Sequence, residues 1–354
     1  MSTDTFKKLR VIVLCHEDLV PPDSIEGLSA KEIAPYKTEW DVISTLKKIG
    51  HDVLPVGVYN NLGVIGNALM EHKPHIAFNL LEEFHGYPLY DQHVVSYLEL
   101  MKQAYTGCNP RGLMLARDKA LSKKLFAFHR IRAPKFSVFP VGRATKRPHR
   151  LSFPVVVKSL NEEASLGISQ ASLVTSDEKL RERVAFMHET FGVDVIAEEY
   201  IAGRELYVGV MGNQRLQTFP IWELPFARLP ENAPHIATAK VKWDLEYQKK
   251  YKIETRRAEE LPDGAEQKLM HLAKRIYKVL GLSGYARIDL RLAPDGQVYV
   301  LEANPNPDLQ REEDFALSAK AAGIDYAEAL GRILSLGVSY QVEWKLVDDQ
   351  APPL

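Results

Sequence analysis

The run from Gly284 to Pro307 constrains this chain more than any other stretch. It reads Gly-Tyr-Ala-Arg-Ile-Asp-Leu-Arg-Leu, then Ala-Pro-Asp-Gly, then Gln-Val-Tyr-Val-Leu-Glu-Ala-Asn-Pro-Asn-Pro. Two segments of alternating polarity joined at Asp295-Gly296 predict a β-hairpin, because a two-residue type I′ turn needs positive φ at both positions. With that loop Pro294 faces Gln297 and, counting outward, Asp289 faces Glu302 and Arg287 faces Asn304. Ala286, Ile288, Leu290 and Leu292 then share a core face with Tyr299, Leu301 and Ala303. The opposite face gathers Arg287, Asp289, Glu302 and Asn304. Two carboxylates directly across a ladder repel, and the sheet suffers unless something offsets them. A divalent cation would do so: Asp, Glu and Asn are oxygen donors of the kind magnesium takes, and an adjacent arginine suits a phosphate. The plain alternative is a solvated polar face with an Arg–Asp pair. Everything rests on register, which a single bulge would shift by one residue.

With 354 residues, 45% hydrophobic and 26% charged, the chain is long enough for two or three packed units. A formal net charge of -1 gives no basis for non-specific nucleic-acid binding. Cys15 and Cys108 are the only cysteines, which argues against a disulfide framework or a cysteine-based zinc site and fits a reducing compartment. The N-terminus has no signal-peptide core, and no uncharged apolar stretch reaches the length of a membrane span. The expectation is a cytoplasmic protein without nucleic-acid or membrane partners.

Leu9 to Leu14, Asp52 to Val58 and His75 to Leu81 read as strands, with helical periodicity over Glu39 to Ile49, Val64 to Glu71 and Val94 to Lys102. This rhythm predicts an open α/β domain over roughly the first hundred residues. Cys15-His16-Glu17-Asp18 follows the first strand where a glycine-rich phosphate loop would stand, so a nicotinamide-type site is not expected there. Further on, residues 117–130 read as a helix with Lys119, Lys123 and Lys124. Phe153 to Lys158 is a β-branched strand carrying Lys158 at its end, where a sheet can aim a point charge at an anion; a snorkelling surface lysine is the plain alternative. Strands over Val195 to Ile201 and Glu205 to Met211 flank Ala-Gly-Arg. Leu229 to Arg257 reads as a long loop or mobile flap. Helices are expected over Asp263 to Leu280, Phe315 to Ala322 and Tyr326 to Leu336.

Taken in order, Asp118-Lys119-Ala120-Leu121, Phe153 to Lys158, Ser165-Leu166-Gly167-Ile168, Glu198 to Ile201 with Gly203-Arg204-Glu205, Ala286 to Asp289, and Leu301 to Asn304 resemble the ATP-grasp superfamily. The resemblance is closest to its D-alanine–D-alanine ligase-like branch and covers about residues 78–340. It implies an α/β fold, α+β in the ATP-grasp part: an N-terminal domain over 1–113, a central subdomain over 114–204, a C-terminal subdomain over 205–345 that clamps ATP with it, and a tail over 346–354. It implies that Lys119 and Lys158 contact ATP phosphates, that the backbone of Glu198, Glu199, Tyr200 and Ile201 holds adenine, and that Glu205 holds ribose. Asp289, Glu302 and Asn304 match the ligands of two magnesium ions, which manganese can replace. Arg287 matches the arginine that stabilises transferring phosphate. Lys242 matches a mobile-loop lysine near the γ-phosphate, with Lys240 as its alternative, and Ser165 sits in the phosphate-covering loop; both are carried as catalytic candidates. The resemblance also implies a homodimer through the N-terminal domain.

The departures fall where substrates bind. Ala164 stands where a D-alanine ligase carries a serine. After Asn304 the chain reads Pro-Asn-Pro-Asp-Leu-Gln-Arg-Glu-Glu-Asp, where those ligases have Pro-Gly and a carboxylate-holding serine. Glu312, Glu313 and Asp314 repel a carboxylate and suit an amine. An acid-rich rim of Glu17, Asp18, Glu82 and Glu83 points the same way. The expected activity is an ATP-dependent carboxylate–amine ligase acting through an acyl phosphate on small amino-acid-like substrates. Attachment of an amino acid to a peptide or protein tail, and a non-catalytic ATP-binding module, are the alternatives.

Overall fold

The structure, a computed structural model, describes residues 8–161, 168–226, 229, 235–238, 240–241 and 244–342. The chain opens with β1 (Arg10–His16), α1 (Ala30–Ile33), α2 (Lys37–Lys48), β2 (Asp52–Val58), α3 (Leu62–His72) and β3 (Ile76–Asn79). The three strands form a parallel sheet in the order β2-β1-β3. β1 is apolar throughout because both its faces are covered. Ile12 and Leu14 pack with Val56, Ile65 and Leu98, while Val11 and Val13 pack with Val42, Leu46 and Leu330.

Helices α4 (Asp91–Leu100) and α5 (Pro110–Arg117) lead to α6 (Lys119–Phe128). Asp118 caps α6, its Oδ1 accepting from the N–H groups of Ala120 at 2.9 Å and Leu121 at 2.8 Å. That cap places Lys119 in the first turn, with Lys123 one turn on along the same face. β4 (Phe136–Phe139), β5 (Val155–Ser159), β6 (Leu173–Val174), α7 (Asp177–Phe191) and β7 (Val195–Glu199) follow. Their strands form an antiparallel sheet in the order β4-β7-β5-β6. Val155 and Val157 pack against Leu180, Val184 and Met187 of α7, so strand alternation turns Val156 and Lys158 to the other face.

The remainder comprises β8 (Arg204–Met211), β9 (Gln217–Thr218), β10 (Trp222–Leu224), α8 (Leu245–Tyr251), β11 (Arg256–Arg257), α9 (Ala265–Val279), β12 (Tyr285–Leu292), β13 (Val298–Pro305), α10 (Asp314–Ala321) and α11 (Tyr326–Ser339). The sheet runs β11-β10-β8-β12-β13, with β9 paired to β8. The α/β class and the mixed ATP-grasp part are therefore as expected. Helix α5 and strands β4, β9, β10 and β11 carry no strong sequence pattern and are additions. The segment expected as a loop over 229–257 contains α8 and ends in β11. Its Leu229, Val241 and Ile253 are buried with Tyr207 and Trp222, so these parts are anchored by apolar burial. The tail over 346–354 lies outside the described residues.

The predicted pairing at the functional end of the β12–β13 hairpin holds: Arg287 faces Asn304, and Asp289 faces Glu302. It holds because two departures cancel. The loop is not the two-residue turn. Ala293 N–H donates to the Gln297 carbonyl at 2.8 Å and Gly296 N–H to the Ala293 carbonyl at 2.9 Å. Pro294, Asp295 and Gly296 thus form the loop, with Gly296 in the left-handed region at φ +78°. Leu292 consequently faces Val298 and Leu290 faces Val300. A bulge at Leu301 then restores the register. The bulge corrects the expected core face. Val300 and Ala303 enter the core, Tyr299 does not, and Leu301 turns to the cavity described next.

Candidate active site

The two antiparallel sheets face each other across a cavity of about 830 Å³. Its third wall is the carboxyl edge of the parallel sheet, at His16, Asn79 and Leu80 to Glu83, where open α/β sheets place ligands. Lys119, Lys158, Glu198 to Ile201, Glu205, Arg287, Asp289, Glu302 and Asn304 all line this one cavity.

Glu198 sits between two lysines. Its Oε1 is 3.1 Å from Lys123 Nζ and its Oε2 is 3.1 Å from Lys158 Nζ. Lys123 Nζ also donates to the Leu301 carbonyl at 2.6 Å, tying α6 to the bulge of β13. Burial is the largest influence on all three groups and opposes charge. In Glu198 it is outweighed by the lysines, which hold its carboxyl below the usual range. In Lys158 it is outweighed by Glu198, Glu302 and Glu205, which push the ammonium up. In Lys123 burial prevails, helped by Lys158, and the pKa falls. Glu198 thus holds both lysine side chains in place, and Lys158 keeps its charge where it lines the cavity. Lys123 was not expected in the site; its spacing of four residues from Lys119 on one helix was the signal.

The Glu198–Ile201 segment leaves β7 toward β8. Glu199 N–H donates to the Lys135 carbonyl at 2.8 Å and Tyr200 N–H to the Pro154 carbonyl at 3.0 Å. Gly203 closes the turn at φ +139°, and a Cβ there would meet the Leu292 carbonyl oxygen at 2.1 Å, so only glycine fits. Glu205 is paired in register with Arg291, whose Nη2 donates to Oε2 at 2.6 Å, while Tyr207 Oη donates to Oε1 at 2.9 Å. Arg291 also lines the cavity, as strand alternation from Arg287 and Asp289 would have indicated.

Arg287 forks onto Asp289, with Nε to Oδ1 and Nη2 to Oδ2 both at 2.8 Å, and its Nη1 reaches Asp314 Oδ2 at 3.0 Å. The guanidinium lies 4.4 Å above the Tyr207 ring centroid. Burial works against its charge, but Asp289 and Asp314 push its pKa well above the ordinary value. Asn304 Nδ2 donates to Asp289 Oδ2 at 2.9 Å, leaving the amide oxygen as a donor atom beside Glu302. Two carboxylates and one amide oxygen on paired strands are the hard oxygen set that magnesium or manganese takes. Among the described residues no three His, Cys, Asp or Glu side chains are grouped so as to hold a metal ion by themselves, and the set here has two carboxylates and the Asn304 amide. Ser165 and Lys242 lie outside the described residues, and Lys240 is exposed.

At the parallel-sheet end the cavity is acidic. Asp18, Glu39, Glu82, Glu83 and Asp308 line it. His16 Nε2 is 3.6 Å from Glu83. A contiguous row of rings, His16, Tyr59, His85, Tyr87, Tyr90 and His93, leads away from this end. No helix among the described residues is long and apolar enough to cross a membrane.

Comparison with known proteins matches residues 126–335 to the family described as D-ala D-ala ligase C-terminus. An uncharacterized protein, y4sG, of Sinorhizobium fredii is 31% identical over 83% of this chain and 85% of its own length. The D-alanine–D-alanine ligase of Bordetella petrii is 32% identical over 67% of this chain and 69% of its own. The crystal structure of Bacillus anthracis D-alanine–D-alanine ligase complexed with ATP superposes with a TM-score of 0.70 at 22% identity. It covers 97% of this chain and 100% of its own, a likeness of fold.

Proposed function

The chain belongs to the D-alanine–D-alanine ligase family, and from that premise we propose how its residues divide the work of an ADP-forming ATP-grasp ligase. It uses ATP to join a carboxylate to an amine. The reading of its site rests on one observation: the Lys123–Glu198–Lys158 network and the Arg287–Asp289–Glu302–Asn304 hairpin face the same cavity. The division into units over 1–113, 114–204 and 205–345 belongs to this proposal, and the cleft is where they meet.

Lys119 and Lys158 hold the triphosphate, Glu198 to Ile201 take adenine by their backbone with Leu301 beneath it, and Glu205 takes the ribose hydroxyls. Asp289, Glu302 and Asn304 would hold two magnesium ions, which would supply positive charge to offset that of the phosphates. A substrate carboxylate oxygen attacks the γ-phosphorus, the bond to the β–γ bridging oxygen breaks, and ADP departs. The amine nitrogen then attacks the acyl carbon, loses its proton, and inorganic phosphate leaves. Arg287, held on both sides by Asp289 and Asp314, presents fixed positive charge where negative charge develops and needs no reorganisation. Lys123 touches no reacting atom; it positions Glu198 and the Leu301 carbonyl.

The substrates are small molecules bearing these two groups. ADP release across a matrix of amino acids, dipeptides and simple amines tests this. Release that requires both a carboxylate and an amine supports the ligase. Acceleration by a peptide tail would move the acceptor to a macromolecule, and nucleotide binding without turnover under any pair would refute the assignment.

A further inference from the structure

The end of the cavity remote from Lys158 is short of positive charge in a way the ligase chemistry does not use. Glu39, the third residue of α2, is only 6% exposed and lines the cavity. Its carboxylate accepts from its own backbone N–H and has no side-chain hydrogen bond or ion pair among the described residues. Asp308, in the loop after β13, accepts from Thr38 Oγ1 at 2.7 Å and so stands beside Glu39. Glu313, at the head of α10, lies within the influence of Asp308 and Asp314. Glu39 and Asp308, from two distant parts of the chain, are thus brought together at one end of one cavity, while Glu313 stands behind Asp308, outside the lining and within the influence of Arg287 as well.

The cations nearby are committed elsewhere. Arg287 is divided between Asp289 and Asp314. Lys37 is shared by Asp41 and Glu312. Arg311 lies 4.5 Å over the Tyr326 ring and donates to Thr45 Oγ1 at 2.9 Å. Arg117 pairs with Asp91. Burial pushes the Glu39 carboxyl up to about 7 and the Glu313 carboxyl up to about 7, and Asp308 adds to both. Carboxylates in that state gain from a cation and repel a further carboxylate.

We propose that the amine substrate carries a second, positively charged nitrogen, received by Glu39 and Asp308, and lacks a carboxylate of its own. The inference rests on the ligase reading. It assigns the acceptor as a diamine or a carboxyl-blocked basic amino acid. The carboxylate substrate is drawn in by the cations around the phosphates; the amine is not, and an anionic anchor suits it. The attacking nitrogen must be unprotonated, so the anchored charge is the other one. A free amino acid, with its carboxylate close to the attacking nitrogen, is disfavoured.

Calorimetric titration of the full chain with magnesium and a non-hydrolysable ATP analogue present tests this with three probes of one length: 1,4-diaminobutane, n-butylamine and 4-aminobutyrate. The diamine is expected to bind at least tenfold tighter than butylamine, with 4-aminobutyrate weakest. Glu39→Gln should weaken the diamine at least tenfold and leave nucleotide affinity within about twofold. Asp308→Asn, at an exposed position, should act in the same direction and decides the matter if Glu39→Gln does not fold. Butylamine or 4-aminobutyrate binding as tightly as the diamine, or a diamine affinity that neither substitution changes, overturns the inference. Nucleotide bound without diamine sinks this inference alone; no nucleotide binding sinks the ligase reading and this inference with it.

Discussion

The two ends of the cavity are built from the same side-chain types to opposite effect. At the phosphate end, Lys123, Glu198 and Lys158 form a buried network, and Arg287 is locked between two aspartates. At the other end, Glu39 stands beside Asp308, and neither makes an ion pair among the described residues. Buried charge costs several kcal/mol unless it is paired. The first arrangement is therefore self-sufficient and holds its geometry before any ligand arrives. The second is completed only by what binds there. A site that must perform one chemistry is well served by the first kind of end, and a site that must choose a substrate by the second.

The largest effect should come from breaking the paired end. Glu198→Ala leaves two buried ammonium groups facing each other, and a loss of about 3–5 kcal/mol is expected in urea unfolding. A loss below 1 kcal/mol would mean the network is not what holds that end. Arg287→Ala should lower turnover about 10²–10³-fold, the usual loss for one donor to a developing charge. Nucleotide affinity, measured by titration, should fall less than tenfold; a fall in proportion to turnover would remove the transition-state role.

The unpaired end is probed through pH. The Glu39 carboxyl moves from its ordinary 4.5 up to about 7 in the folded chain. Below pH 4.5 it is protonated folded or unfolded; between 4.5 and about 7 only the unfolded chain ionises, so stability falls as pH rises through that window. Glu39→Gln cannot ionise there. It should match the parent near pH 4 and exceed it by about 3 kcal/mol at pH 8, in the absence of amine. Equal stability at both pH values would show the carboxylate to be paired after all. The smallest effect serves as a control. Gly296 has φ +78° and open space around a built Cβ, so Gly296→Ala should cost only about 1 kcal/mol from backbone conformation. Nucleotide and diamine affinities should stay unchanged, which separates hairpin stability from both ends of the site.

Legibility in the sequence followed the range of the interactions. Asp52 to Val58 was read to the residue, and helices with clear periodicity were found within a few residues, because those patterns are local. Lys158 was legible from its place on a β-branched strand. Lys123 was seen but not assigned, since its partners, Glu198 and the Leu301 carbonyl, are 75 and 178 positions away in the chain. Strands as short as β9 and β11 have too few residues for any period to show.

The hairpin shows where that boundary runs. Alternation by itself determined that Arg287 and Asp289 share a face of one strand and Glu302 and Asn304 a face of the other, because period-two geometry depends only on neighbours along a strand. The extra residue in the loop and the extra residue at Leu301 were decided by the tertiary structure. Lys123 fastens the Leu301 carbonyl from another helix, and the core accepts Val300 in place of Leu301. The sequence likewise showed that acids follow Asn304. Only the fold brought Glu39 from a distant helix beside Asp308, because burial and charge are properties of what surrounds a side chain, not of its position in the chain.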